Sequence, residues 1–151
     1  MKRTATVALL LFAACALSQK VPVNPPPEVS VIQIYGPSDL NYSRGMSSIE
    51  AQYGIQITNP STDPIKLKHV TLESTGGGTI ALRREDRAFN DEVPPGQSAL
   101  VTMNARVYFT SDMSGSPTRE PLTVRATLHF DSPKGPFSKI VQKMIGQFPG
   151  Q

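Results

Sequence analysis

The chain has 151 residues and a formal charge of +3, with 14 prolines, 11 glycines, one cysteine and no tryptophan. That length suits one domain whose core needs no disulfide staples, and so much proline and glycine favours short elements over long helices. Lys2 and Arg3 fall in an N-terminal leader; without them the basic residues nearly balance the 12 acidic ones, which leaves no basic field for nucleic acid or an anionic membrane surface.

Residues 1–18 have the three parts of an export signal. Lys2 and Arg3 form a positive start, an apolar run extends from Thr6 to Leu17, and Ala16-Leu17-Ser18 fits a small-x-small cleavage site. The run is short for a transmembrane span. Phe12-Ala13-Ala14-Cys15 resembles the bacterial lipobox, with phenylalanine where leucine is usual. Cys15 then has two fates: lipidation, which would tether the chain to a membrane by acyl groups, or loss with the signal. Either way the location is periplasmic or extracellular. Gln19 to Glu28, with four prolines between positions 22 and 27, reads as an extended tether.

The folded domain is expected over residues 29–149. Val29 to Ile34 make a first strand that ends at Gly36-Pro37, and residues 36–47 form a loop. From Ile49 to Ile57 apolar residues alternate with Glu50, Gln52 and Gln56, the period of a half-buried strand. Asn59-Pro60-Ser61-Thr62-Asp63-Pro64 interrupts the chain. Ile65, Leu67, Val70 and Leu72 come next, and the parity break between Leu67 and Val70 predicts a bulge near Lys68-His69. Gly76-Gly77-Gly78 is read as a turn, since no Gly-Lys-Ser/Thr succeeds it. Thr79 to Leu82 is a short strand, and Arg83-Arg84-Glu85-Asp86-Arg87 a solvated loop or edge.

After Val93-Pro94-Pro95-Gly96-Gln97-Ser98 the alternation returns. Ala99, Val101, Met103, Ala105, Val107 and Phe109 share one parity and make a long central strand. Residues 110–121 are a polar loop. Leu122, Val124, Ala126, Leu128 and Phe130 form a further alternating strand, Asp131 to Pro136 a turn, and Phe137 to Phe148 a last strand of mixed parity with a bulge expected near Ile140-Val141. The whole is an all-β chain, an immunoglobulin-like antiparallel β-sandwich of about seven strands.

Ile55 to Leu67, with Asn59-Pro60 and Pro64 inside it, resembles the strand–Asn-Pro–strand signature of late-embryogenesis-abundant type 14 and WHy domains. Val93-Pro94-Pro95-Gly96-Gln97-Ser98 before a long strand is similar to the later half of that pattern. The resemblance spans residues 48 to 109. It implies an immunoglobulin-like fold and brings no catalytic residues.

Nothing in the sequence assembles a reaction. His69 and His129 look isolated and solvent-facing, without the further ligands a zinc site needs. No Gly-x-Ser-x-Gly elbow occurs, and the aspartates are scattered rather than gathered into a calcium loop. The expectation is therefore a non-catalytic exported domain, with no cofactor and no metal, that binds another envelope or extracellular protein. Its contact surface is expected in the loops and edges, at Tyr35, Tyr42, Arg44, Met113 and Arg119. The alternatives are a small ligand-binding or hydrolytic domain on a sandwich scaffold, and a desiccation or stress protectant.

Overall fold

The computed structural model describes residues 22–36, 48–76, 80–109 and 122–145. Cys15 and the expected contact residues Tyr42, Arg44, Met113 and Arg119 lie outside them. Among the described residues there is no helix, and eight strands form two antiparallel sheets. They are β1 (Glu28–Tyr35), β2 (Ser48–Thr58), β3 (Ile65–Ser74), β4 (Ile80–Leu82), β5 (Glu85–Val93), β6 (Ser98–Phe109), β7 (Leu122–Asp131) and β8 (Phe137–Ile145). One sheet has the order β1-β2-β6-β4 and the other β5-β3-β7-β8.

The alternating residues become the core. Tyr53, Ile55 and Ile57 of β2 and Met103, Ala105 and Val107 of β6 face Leu67, Val70 and Leu72 of β3 and Val124, Ala126, Leu128 and Phe130 of β7, all buried. Phe137 stacks on Phe130 with ring centres 5.1 Å apart. One buried face per strand is what a two-layer sandwich requires. Val23 joins this core at 1% exposure, so the proline-rich segment is pinned to the domain midway along its length.

β2 and β3 do not pair. The Asn-Pro segment between them carries the chain from one sheet to the other. The bulge in β3 is present: Leu67 lies opposite Phe130 and His69 opposite His129, so β3 spends one extra residue, Lys68. This returns Val70 and Leu72 to the core side.

Two sequence expectations are corrected. The structure adds one strand to the expected seven: β5, Glu85–Val93, begins within the charge run expected as a loop or edge, continues past it and pairs along β3 as an edge strand. β8 carries no bulge, since its pairing with β7 runs unbroken from Phe137 opposite Phe130 to Ile145 opposite Leu122. Its mixed parity has another cause. Lys139 and Lys143 take core-side positions opposite Leu128 and Val124, where an edge strand lets long stems cover apolar surface while the ammonium groups reach water.

Candidate functional site

The sandwich has two unlike ends. At one end three turns are fastened together. Asn59, fully buried, donates both amide hydrogens from Nδ2, to the carbonyls of Asp63 (2.8 Å) and Val93 (2.9 Å). Its Oδ1 accepts from the Ser61 amide at 3.2 Å and the Ser61 hydroxyl at 2.7 Å. Its backbone amide donates to Gln97 O, and its carbonyl accepts from Gly96 N. An asparagine side chain has few bonds left to make after these. Gly96, at φ +70°, and the Gln97 N to Pro94 O bond define a type II turn on Pro95-Gly96. The β7–β8 turn is attached through an ion pair between Lys134 Nζ and Asp63 Oδ2. The two motifs that stand out in the sequence, Asn-Pro and Pro-Pro-Gly-Gln, thus form one clamp.

The opposite end holds the ends of β1, β3 and β6 and the starts of β2, β4 and β7, as the registers require. Gly36, which opens the expected contact loop 36–47, and Phe109, the last described residue before loop 110–121, stand at this end. Tyr35 stands at this end, 69% exposed, beside a register irregularity between Gln33 and Tyr35. Gly36, at φ +149°, closes the strand where an added Cβ would lie 2.8 Å from Ala51 Cβ, so no other residue fits without moving β2.

The outer faces of the sheets differ in chemistry. Across β1, β2 and β6 the outward positions are mainly Ser30, Gln52, Gln56, Thr58, Thr102 and Asn104, with few charges. Ile32, Ile34 and Leu100 are exposed there and converge over Gly54. A Cβ built on Gly54 would lie 3.0 Å from Ile32 Cγ1, 3.1 Å from Ile34 Cδ1 and 3.2 Å from Leu100 Cδ1. The missing side chain lets three branched residues of two strands meet as one apolar patch. The sequence conceals this, because the apolar run from Val29 to Ile34 marks a strand without showing which of its side chains face outward.

The outer face of the second sheet is charged and hydrogen-bonded. His69 and His129 are not isolated: the β3 bulge sets them directly opposite each other, with ring centres 5.9 Å apart and planes at 50°. His69 Nε2 lies 3.3 Å from Asp86 Oδ1. Thr71 Oγ1 also donates to Asp86, and Arg84 Nε donates to Asp86 Oδ2 at 2.9 Å. The Arg84 guanidinium, then the Thr71 hydroxyl and the His69 ring, hold the Asp86 carboxyl well below the usual carboxylate range. Ser138 Oγ and His129 Nδ1 are 2.8 Å apart. The serine therefore meets one imidazole and the carboxylate the other, so no single ring relays between them as a Ser-His-Asp triad would need. Among the described residues no cluster of three or more His, Cys, Asp and Glu is arranged to hold a metal ion.

Two buried side-chain polar atoms have no hydrogen-bond partner among the described residues, the Tyr53 hydroxyl and Arg125 Nε. Burial pushes the pKa of the Tyr53 hydroxyl far above the ordinary tyrosine value. A groove between Pro64, Lys66, Glu92 and Asp131 is shallow and open.

No family model matches this sequence, and no curated protein does. Solved structures share the fold. A Northeast Structural Genomics Consortium target superposes with a TM-score of 0.55 at 17% identity, covering 83% of this chain and 87% of its own. A Bordetella pertussis protein described as ApaA superposes with a TM-score of 0.56 at 21% identity, covering 85% of this chain and all of its own. At such identities the likeness is one of fold, an all-β sandwich.

Proposed function

We propose that this chain is an exported, non-catalytic interaction domain that binds another envelope or extracellular protein. The observation that carries the reading is the patch of Ile32, Ile34 and Leu100 over Gly54, ringed mainly by uncharged polar residues, with the Glu50–Arg106 pair toward one end of the face. Depletion of charge around an apolar centre is the compositional mark of a protein interface. The other sheet shields its exposed side with charges, and β8 places lysines at its edge. β1 has neither lysine nor proline, so the patch sits beside the least defended edge. The leader of residues 1–18 supports export, and Cys15 offers a lipid anchor if the signal is processed there.

The test is a crosslinking pull-down from the native envelope with the intact chain and with Ile32→Lys/Leu100→Lys. Both side chains are about half exposed, so the exchange should cost about 1 kcal/mol or less in stability. A specific partner captured by the wild type and lost by the double variant is the expected result. The same proteins captured by both would remove the patch from the reading, and no specific protein captured by either would remove the function.

A stress-protective role has one supporting observation. The two turns that resemble the late-embryogenesis-abundant type 14 and WHy pattern meet through Asn59, as parts of a shared structural signature would. Drying assays on a labile enzyme test it; protection no better than an inert protein of equal mass ends it.

A further inference from the structure

We propose that His69 and His129 form a two-imidazole site for a divalent transition metal ion on the outer face of the second sheet, with Asp86 and Ser138 as the groups that orient the rings. The bulge at Lys68 puts the two rings opposite each other. Two imidazoles that share a metal at about 2.0 Å from each nitrogen have centres roughly 4.5 to 6.4 Å apart, and the observed separation is 5.9 Å. Each ring has one nitrogen already engaged and one left over. His69 Nε2 faces Asp86, whose carboxylate can only accept, so in the neutral imidazole that nitrogen is the donor and Nδ1 offers the lone pair. His129 Nδ1 faces Ser138 Oγ, which accepts as well as donates. Coordination at His129 Nε2 selects the tautomer in which Nδ1–H donates to the serine.

This is the usual setting of a metal-binding histidine, whose second nitrogen gives its proton to a carboxylate or another oxygen and so fixes the ring. Asp86 is itself held by Thr71 and Arg84, so the supporting layer extends one step further from the rings. His69 is 37% exposed and Asp86 41%, which leaves room for water to complete the coordination sphere. With two nitrogen ligands from protein, the site belongs to ions that favour imidazole, and the order of divalent affinities puts copper(II) ahead of nickel(II) and zinc(II).

The experiment is a titration of the exported chain with copper(II), monitored by proton NMR and electron paramagnetic resonance. The sequence holds only two histidines, so every imidazole signal is accounted for. The expected result is saturation at one equivalent, with both histidine ring resonances broadened together and two nitrogen couplings in the copper spectrum. His69→Gln and His129→Gln should each abolish two-nitrogen coupling, while Ser138→Ala and Asp86→Asn should weaken binding by about tenfold. Ser138→Ala removes only a surface hydroxyl and keeps the test sound if a histidine variant unfolds. Absence of saturable binding, broadening of one ring alone, or an affinity unchanged in both histidine variants would overturn the proposal.

Discussion

Two turns of backbone converge on the side chain and main chain of Asn59, and a third is tied to them through Asp63. The Asn59 amide joins the β2–β3 crossing to Val93, 34 positions later, so its loss takes a donor from the Val93 carbonyl and an acceptor from the Ser61 amide, while the Ser61 hydroxyl and the Asp63 carbonyl keep their bond to each other. Asn59→Ala should cost about 3 kcal/mol in urea unfolding. Asn59→Asp, nearly the same in shape, should cost more, because a carboxylate would face two carbonyl oxygens. An aspartate variant as stable as the wild type would contradict the clamp. Tyr53 predicts the opposite sign. Its hydroxyl is buried without a partner among the described residues, and Tyr53→Phe should raise stability by about 1 kcal/mol at neutral pH. The phenol holds its proton in the folded state far above its unfolded value of about 10, so its contribution is whole below that pH. Above it the unfolded chain releases the proton and stability falls by about 1.4 kcal/mol per pH unit. The phenylalanine variant should lack that component in alkaline unfolding curves. Of these two residues, the turn at Asn59 is legible in the sequence, since Asn-Pro is a local device. Its bond to Val93 is not, because a partner 34 residues away leaves no mark on the residues around it.

The strands divide in a similar way. Those buried on one face, β2, β6 and β7, announce themselves by alternation, and the β3 bulge shows as a break in that alternation. Edge strands do not, because water covers much of both faces and the apolar period fades. That is why Glu85–Val93 reads as a solvated run and yet pairs along β3, with Arg87 Nη1 reaching Thr102 O of the other sheet at 3.0 Å. It is also why β8 suggests a bulge when its lysines simply occupy core-side edge positions. Those lysines have a testable consequence. Lys139→Val/Lys143→Val would complete the apolar period of β8 and remove the charges that keep its edge from pairing with other chains. Light scattering at neutral pH should detect association in the double variant under conditions where the wild type stays unassociated. Equal behaviour of the two would show that the edge is protected by something else.

At the scale of the molecule the sandwich has one fastened end. The clamp of Asn59, Gly96 and Asp63 fixes how the sheets are joined, while the ends of β1 and β6 and the starts of β2 and β7 frame the opposite pole near Tyr35. The chain enters at the clamped end, where Glu28 lies opposite Thr58. Composition alone marks the proline-rich stretch as a tether, because proline suits extended, unpaired chain. Composition carries no record that one valine within the stretch reaches the core. Val23 is as buried as the strand residues, and removing a side chain so placed should cost about 2 kcal/mol. A chain starting at Gln19 should therefore match the full-length protein in urea unfolding, whereas one starting at Glu28 should be less stable by about that amount. Val23→Ala in the longer chain should reproduce much of the loss. If the shorter chain were as stable as the longer one, the segment would be a free tether and the domain would begin at β1. If the loss appears, the domain begins within the proline-rich segment, and Val23 belongs to the core rather than to the tether.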